Sequence, residues 1–179
     1  LKGPYVTKGY YKENNTGVFK DGWFYTEDIF QERNSHYFII DRKKDIYKNS
    51  RGQTIAPQKI ENLFQDFDAI KSIFLVGDGK EFNTVLIYPD NRNSPLDLKF
   101  ESDKNIRDFF SSIILSVNSF LSPFERIVNY VLIHRDFSIE RGELTHKGTF
   151  IRTQVLKNFK KIIDPLYEKN YVSLYSESK

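Results

Sequence analysis

The stretch DRKKDIYKNSRGQTIAPQKI, residues 41–60, divides the sequence into two parts of different character. Its first half is densely charged, and the middle is rich in turn-forming residues, which predicts a boundary between domains. We place a hinge at residues 42–48, between a first part at residues 1–41 and a second at residues 49–179.

Upstream of this stretch, aromatic residues alternate with turn signals, as in the turn Asn14–Gly17 and the run Gly22–Thr26. This pattern predicts short β-strands, including one over Tyr37–Ile40. These strands are too few to close a core of their own. We therefore expect them to complete a sheet or barrel of a larger domain whose other strands lie upstream of Leu1.

Downstream, the pattern predicts a self-sufficient α+β domain with a mixed sheet and two or three packed helices. Apolar residues at helical spacing predict helices over Pro57–Phe67, over Ile106–Leu121 and over Ile151–Leu166. Strand-like runs flank the turn Gly77–Lys80, a polar loop occupies 89–102, and a short strand follows at 130–133. The predicted elements are helix 57–67, strands 70–76 and 82–88, helix 106–121, strand 130–133 and helix 151–166.

Composition excludes several kinds of chemistry. The 179 residues contain no cysteine, which excludes disulfides, thiolate metal sites and a cysteine nucleophile together. The three histidines, His36, His134 and His146, lie far apart and show no zinc-binding spacing, so we expect no metal ligation by these side chains. No phosphate-binding glycine loop and no Ser-His-Asp order occurs.

Charge and hydropathy indicate a protein of the cytoplasm. The net charge is +3, too small for a typical nucleic-acid binder, so we expect no nucleic-acid partner. The mean hydropathy is −0.54, and no apolar run reaches the ~20 residues that span a bilayer. The chain opens Leu-Lys-Gly-Pro and contains no methionine, from which we expect a piece of a longer protein.

The residues alone suggest one place for chemistry. Asp28 is followed by a basic cluster that contains Arg42, Lys43, Lys44 and Lys48. A carboxylate that accepts from hydroxyl groups, beside cations that attract phosphate, suits a nucleotide. Two plainer interpretations stay open at this point, namely a simple turn or cap at Asp28 and a solvated basic surface.

Several motifs follow one another with suitable gaps through nearly the whole chain. They are Gly3-Pro4 with Lys8-Gly9-Tyr10-Tyr11, Gly22-Trp23-Phe24-Tyr25-Thr26-Glu27-Asp28, Asp41-Arg42-Lys43-Lys44-Asp45, and residues 52–61. This series resembles the closing motifs of the adenylate-forming (AMP-binding) enzymes. Ala56-Pro57, residues 85–90, residues 121–125 and Gly142-Glu143-Leu144-Thr145 resemble the long-chain fatty-acid CoA ligases within that family.

The resemblance implies an activity and a domain arrangement. Residues 1–41 would end the large N-terminal domain, and residues 49–179 would form the mobile C-terminal lid. In such enzymes a fatty acid attacks the α-phosphate of Mg-ATP, and CoA then displaces AMP from the acyl-adenylate. The resemblance implies ATP or AMP, CoA and Mg²⁺ as ligands, with the Mg²⁺ ligands and the acyl tunnel upstream. It leaves room for peripheral contact of the whole enzyme with a membrane, and the fragment alone would be inactive.

The resemblance also implies roles for individual residues. Asp28 would accept from the ribose hydroxyls, and Arg42 would add a ribose or phosphate contact. Lys44 matches the hinge position. Lys48 and Gln53 match lid positions that reach the nucleotide, and Gly52 matches the loop that approaches CoA. Surface solvation of Lys48, a turn role for Gln53 and a positive-φ role for Gly52 remain alternatives.

Two positions depart from the family pattern. Thr149 occupies the slot of the lysine that bridges carboxylate and α-phosphate during adenylation. Lys147 stands two residues earlier, up to roughly 7 Å away along an extended chain, and is either its substitute or a solvated loop residue. Glu27 stands where the family has glycine before the ribose-binding aspartate, which adds like charge near phosphates.

Four functions follow, three within the family and one from a different class. The parent enzyme is either a fatty-acid CoA ligase, a fatty acyl-AMP ligase that delivers to a carrier protein, or a member of the family that has lost adenylation. From a different class, the basic residues Arg42–Lys48 and the lysines of the last helix could form a non-enzymatic binding module. Such a module would bind nucleic acid or an acidic partner in a salt-dependent way.

Overall fold

The chain forms two compact units, Leu1–Ile46 and Tyr47–Lys179. The computed structural model describes residues 1–12, 17–90, 92 and 103–168. Most of the predicted turn at 14–17 and of the predicted polar loop at 89–102 lies outside the described residues. The division between the units falls inside the stretch 42–48 in which we placed the hinge.

The first unit consists of two β-hairpins. A short one pairs strands β1 and β2 and stacks the rings of Phe19 and Phe24 at 5.0 Å. The longer one pairs β3 with β4 through a two-residue turn at Asn34 and Ser35, whose φ angles of 50° and 61° match the left-handed turns that suit antiparallel hairpins. The strands are β1 (Phe19–Lys20), β2 (Trp23–Phe24), β3 (Asp28–Arg33) and β4 (His36–Arg42).

The second unit is built on a mixed three-stranded sheet. Its strand order is β7-β8-β9, with β7 and β8 antiparallel and β8 and β9 parallel. The predicted α+β class and mixed sheet are confirmed. The strands of this unit are β5 (Tyr47–Lys48), β6 (Thr54–Ile55), β7 (Ile70–Val76), β8 (Asn83–Pro89) and β9 (Ile127–Leu132).

Helices cover both faces of this sheet. The side chains of Leu75 and Ile87 pack with α1 and α2, whereas those of Phe74 and Leu86 pack with α3 and α4. None of the described helices is both long and apolar enough to cross a bilayer. The helices are α1 (Pro57–Glu61), α2 (Asp103–Asn118), α3 (Arg152–Asn158), α4 (Lys160–Ile163), and 3₁₀ turns at Asn62–Phe64 and Asp164–Tyr167.

The end of α2 differs from its prediction. The apolar stripe predicted a helix through Leu121, but α2 ends at Asn118, and the side chain of Phe120 is 78% exposed. The Asn118 amide donates to the carbonyl of Ile127 at 2.8 Å and accepts from its N–H at 2.9 Å. These bonds tie the helix end to β9, and the chain beyond Asn118 turns Phe120 outward.

The last helix also differs from its prediction, because it is broken at Phe159. The backbone there has φ −99° and ψ 9°, which separates α3 from α4. Phe159 and Ile163 are buried as expected, while Ile151 and Ile162 are more than one third exposed. Val155, before the break, and Ile163, after it, both pack into the same apolar cluster on the sheet.

Gly77 lies where the chain approaches two other side chains very closely. A Cβ atom at this position would lie 2.2 Å from Oδ1 of Asn83 and 2.6 Å from the hydroxyl oxygen of Tyr47. Those two atoms share a hydrogen bond of 2.9 Å, and Asn83 also donates to the carbonyl of Glu125 at 2.9 Å. Glycine is therefore required here by lack of space.

We expect the substitution Gly77→Ala to lower the free energy of unfolding of the 179-residue chain by about 1–3 kcal/mol, because the new methyl group overpacks a buried polar contact. Gly3→Ala is the control, since nothing lies within 4 Å of a Cβ at Gly3. Urea unfolding monitored by circular dichroism measures both variants. Equal stability of the two would contradict this reading of Gly77.

Candidate functional site

Asp28 and Arg42 are brought together by the pairing of β3 with β4. The two residues are direct partners in the antiparallel register. Nε of Arg42 lies 3.1 Å from Oδ1 of Asp28, whose side chain is mostly buried, while that of Arg42 is half exposed. The hairpin thus explains why residues fourteen positions apart can act at one place.

A cavity of about 430 Å³ opens beside Asp28. The aromatic rings of Trp23 and Tyr25 contribute to its wall, and Lys43 supplies a cation. A carboxylate, a cation and flat apolar surfaces are the groups that a nucleoside phosphate needs for its hydroxyls, phosphates and base.

Glu27 adopts a left-handed backbone conformation with φ +58°. Non-glycine residues pay roughly 1–2 kcal/mol for this conformation, which glycine adopts freely. The carbonyl of Glu27 accepts a hydrogen bond from the N–H of Lys43 at 2.8 Å. The backbone therefore keeps the shape that suits glycine although the side chain is a glutamate.

Lys44 is exposed in a tight turn that follows β4. The carbonyl of Arg42 accepts from the N–H groups of Asp45 at 3.0 Å and Ile46 at 3.2 Å. This turn is the last feature of the first unit, two residues before the division between the units. Lys44 lies at the place where a change in backbone torsion would alter the direction of the following chain.

The loop that contains Lys48, Gly52 and Gln53 is organised by the buried side chain of Asn49. Oδ1 of Asn49 accepts from the N–H groups of Arg51 at 3.0 Å and Gln53 at 2.9 Å, and its amide donates to Oε1 of Gln53 at 2.9 Å. The sequence predicts a turn-rich stretch here, and asparagine is a residue that organises such turns through its own side chain. The Gln53 side chain is half-buried and bound to this loop.

Lys48 and Gly52 face open space in the same loop. The Lys48 side chain is exposed, and its carbonyl accepts from the N–H of Gly79 at 2.9 Å. Gly52 has φ +77°, and a Cβ at this position would meet nothing within 4 Å. Its glycine is therefore explained by the backbone angle, and the space above it is accessible to a ligand.

Lys147 and Thr149 lie on a narrow hairpin at residues 144–150. Leu144 pairs with Phe150, and the N–H of Thr145 donates to the carbonyl of Thr149 at 2.8 Å. Gly148, with φ +78°, closes the turn at the tip. Both Lys147 and Thr149 are exposed, with Lys147 at the tip and Thr149 on the returning arm.

Two buried ion pairs near this hairpin were not predicted from the sequence. Arg135 forms a two-pronged contact with Glu143 at 2.6 and 2.8 Å. Arg152 forms the other with a single nitrogen, since its Nη2 contacts both carboxylate oxygens of Glu61, at 2.6 and 2.7 Å. Glu143 and Glu61 stood in motifs that the sequence showed, but nothing in the sequence indicated which arginine each would meet.

The Arg135 pair shifts the titration of Glu143. Burial by itself would raise the pKa of this carboxyl, but hydrogen bonds from Arg135, Asn158 and the backbone of Ser138 outweigh burial and lower its pKa. Among the described residues, no group of three or more His, Asp or Glu side chains is arranged to hold a metal ion.

Comparison with protein families adds a decisive observation. The family described as AMP-binding enzyme C-terminal domain matches residues 44–171. The chain belongs to this family. The match includes the loop of Asn49 and the hairpin of Lys147, and the resemblance drawn from the motifs is confirmed.

Curated relatives of this AMP-binding C-terminal domain include fatty-acid ligases. Long-chain-fatty-acid–CoA ligase 6 of Mus musculus is 34% identical over 187 aligned residues, which cover 93% of this chain and 26% of that protein. Fatty acyl-CoA synthetase B of Dictyostelium discoideum is 31% identical over 186 residues, which cover 94% of this chain and 28% of that protein. The chain spans about a quarter of the length of these relatives.

Solved structures share the fold. The adenylation domain of a carboxylate reductase from Mycobacterium chelonae matches with a TM-score of 0.76 at 21% identity, over 89% of this chain and 26% of that one. The O-succinylbenzoate CoA synthetase of Bacillus subtilis in complex with ATP and magnesium matches with a TM-score of 0.58 at 18% identity, over 86% of this chain and 29% of that one. At these identities the likeness shows the fold alone.

We expect acid to weaken the chain through Glu143. The pKa of Glu143 is lower in the folded chain than in the unfolded one. Its ionised carboxylate therefore contributes fully to the free energy of unfolding above the ordinary glutamate pKa of about 4.3, and this contribution is lost as the pH falls below that value. The stability difference between wild type and Glu143→Gln should therefore be largest near pH 7 and shrink towards pH 3. Urea unfolding across this range measures it.

The exposed Glu81 provides the matched control for the acid experiment. Glu81→Gln should unfold like wild type at each pH. A difference between wild type and Glu143→Gln that stays constant from pH 7 to pH 3 would contradict the assigned ion pair.

Proposed function

We propose that this chain is the C-terminal part of an ATP-dependent long-chain fatty-acid CoA ligase. The proposal is supported by its membership of the AMP-binding C-terminal domain family and by the named activity of its curated relatives. The observation that carries it is the pairing of Asp28 with Arg42 beside the open cavity of about 430 Å³. Because the chain spans about a quarter of its relatives, the complete site needs the rest of the protein, and this part alone is inactive.

The proposed reaction has two steps. A carboxylate oxygen of the fatty acid attacks the α-phosphorus of ATP, and the bond to pyrophosphate breaks, which leaves an acyl-adenylate. The sulfur of CoA, after losing its proton, then attacks the acyl carbonyl carbon, and AMP leaves with the bonding electrons. Both steps depend on positioning and on stabilising charge at phosphate and carbonyl oxygens.

In the nucleotide site, the Asp28 carboxylate accepts hydrogen bonds from the ribose hydroxyls. Arg42 orients that carboxylate and contacts ribose or phosphate with its remaining N–H groups. Lys48 extends from the lid towards the same nucleotide, and Gln53 would reach it by giving up its hydrogen bond to Asn49. The half-exposed Arg42 and exposed Lys48 are available for these contacts.

Residues 1–41 form the end of the large domain, residues 42–48 the hinge, and residues 49–179 the lid. The lid changes position between the two steps by rotation at Lys44. In the thioester-forming state Gly52 lies near the pantetheine arm of CoA. The open space around Gly52 supports this role, since a substrate chain can approach its backbone.

At the adenylation step, Lys147 takes the place of the lysine that the family has at Thr149. The tip position of Lys147 supports this role, because a long side chain at the end of a narrow hairpin projects furthest from the lid. Its ammonium group would bridge the fatty-acid carboxylate and the α-phosphate.

The remaining partners of the site lie elsewhere in the proposed protein. Mg²⁺ would neutralise the phosphates, and residues upstream would hold it. The larger N-terminal domain covers the β3–β4 hairpin, whose Tyr37, Phe38 and Ile39 are each more than half exposed. We place the whole enzyme in the cytoplasm, with peripheral contact to a membrane.

Thr149 and Glu27 favour a second candidate, a member of the family that has lost adenylation. Thr149 lacks the charge of the usual lysine, and Glu27 brings negative charge next to Asp28. A fatty acyl-AMP ligase is distinguished by adenylation without CoA-dependent thioester formation.

In the full-length protein, we expect Lys147→Ala to reduce the rate of pyrophosphate release from ATP, Mg²⁺ and a C16 fatty acid by on the order of 100-fold. The reason is that the positive charge that stabilises the transition state is removed. Wild type should form acyl-CoA when CoA is present. The measurement is a coupled pyrophosphate assay with and without CoA.

Thr149→Lys and Lys157→Ala complete this test. Lys157 is an exposed lysine of α3, so its loss should leave the rate unchanged. An inactive wild type that gains pyrophosphate release through Thr149→Lys would establish the second candidate instead. Acyl-adenylate without acyl-CoA in wild type would indicate the acyl-AMP ligase.

We expect Asp28→Asn to raise the KM for ATP by about tenfold or more, since hydrogen bonds to a charged group are worth about 1.5–3 kcal/mol. Asp21→Asn is the control, because Asp21 is exposed in the same unit and asparagine tolerates its φ of +51°. Steady-state kinetics at saturating fatty acid separates KM from kcat. An unchanged KM for ATP in Asp28→Asn would exclude the ribose contact.

A further inference from the structure

The carboxylate of Glu143 is fully buried beneath the hairpin 144–150. One oxygen, Oε1, accepts from Nη2 of Arg135 at 2.6 Å and from the amide of Asn158 at 2.8 Å. The other, Oε2, accepts from Nη1 of Arg135 at 2.8 Å and from the N–H of Ser138 at 3.1 Å. These four donors come from the loop 135–138 and from α3, so one side chain joins both to the hairpin.

The backbone of Glu143 makes the first hydrogen bond between the two arms of the same hairpin. Its carbonyl accepts from the N–H of Ile151 at 2.8 Å, directly below the pair Leu144 and Phe150. Phe150 is held in turn by the rings of Phe74 and Phe137, with centroids 5.1 and 5.0 Å away. The last described hydrogen bond between the arms joins Thr145 and Thr149, so that only residues 146–148 extend beyond it.

The position of Lys147 therefore depends on the base of the hairpin. The tip is exposed, while the base is held by the buried carboxylate of Glu143 and by two aromatic contacts of Phe150. A buried Arg–Glu pair contributes little net stability compared with apolar side chains of equal volume, so stability alone does not explain it. What the pair supplies is a single defined geometry, because the planar guanidinium accepts the carboxylate in one orientation.

We propose that Glu143, held by Arg135 and Asn158, is the positioning residue that sets the hairpin tip for the adenylation step. This inference rests on the proposed function, in which Lys147 acts at that step. Glu143 touches neither substrate in this proposal and acts only through the hairpin. Its loss therefore slows the step that uses the tip and leaves thioester formation, in which Gly52 approaches CoA, much less affected.

The test uses the full-length protein and the variant Glu143→Gln, which keeps the shape of the side chain and removes its charge. Glu125→Gln is the matched control. Glu125 is also buried and ion-paired, with Lys59 at 2.8 Å, but belongs to the segment before β9 and contacts no residue of the hairpin in the described structure. Both variants are examined at a temperature where thermal unfolding shows them folded.

The first measurement is hydrogen exchange of peptides that cover residues 143–151. We expect faster exchange in Glu143→Gln than in wild type, and no change in Glu125→Gln, because only the former loosens the hairpin base. Equal exchange in the two variants would overturn the inference. This measurement needs no activity, so it decides the positioning role even if wild type releases no pyrophosphate, a result that would overturn the proposed function alone.

The second measurement separates the two half-reactions. We expect pyrophosphate release to fall by on the order of 100-fold in Glu143→Gln, since small displacements of a reacting group have effects of this size. Thioester formation from supplied acyl-adenylate and CoA should fall far less. An equal fall in both half-reactions would mean a purely structural role and would overturn the inference.

A double-mutant cycle and a conservative variant complete the design. In a Lys147→Ala background, Glu143→Gln should have little further effect on adenylation, because both changes act through the same side chain. Additive effects would contradict the inference. If Glu143→Gln does not fold, Arg135→Lys, which keeps the charge and loses the two-pronged contact, should show the same unequal loss of the two half-reactions.

Discussion

The second unit depends on the buried carboxylate of Glu61. Glu61 is the last residue of α1, and its carboxylate accepts from the N–H of Leu75 at 2.7 Å. Both of its oxygens also accept from Nη2 of Arg152, which begins α3. Because α1 and α3 pack on opposite faces of the sheet, the pair fastens the two layers around its edge. Arg152 also donates to the carbonyl of Leu75 at 3.2 Å, so both backbone groups of an edge-strand residue are bound by side chains. Removing one partner of such a pair typically costs about 3–5 kcal/mol.

This edge contact also bears on the hairpin that carries Lys147. Arg152 follows the hairpin directly, and Glu143 precedes it, so each end of the segment 143–152 is held by a buried Arg–Glu pair. The segment between them is short and exposed at its tip. Under the proposed function, a rigid base with a projecting tip suits a segment that reaches a reacting group in one step and withdraws in the next.

The sequence predicted regular elements wherever local pattern and packing agreed. Strand β7 was predicted with its observed limits. Strand β8 begins and ends one residue later than predicted. The pattern failed at Phe120 and Phe159, because tertiary contacts decided both positions. Asn118 ends α2 by pairing with Ile127, and the backbone at Phe159 leaves the helical conformation while its side chain stays buried, neither of which hydrophobic periodicity can show.

For the candidate site, the sequence by itself determined which residue types are available, in what order, and to which family they belong. It also showed the departures at Glu27 and Thr149. Only the tertiary structure decided that Asp28 meets Arg42, that Asn49 organises the loop of Gln53, and that Glu143 meets Arg135. The physical reason is that motifs depend on spacing along the chain, whereas these contacts depend on strand register and on which charges are buried together.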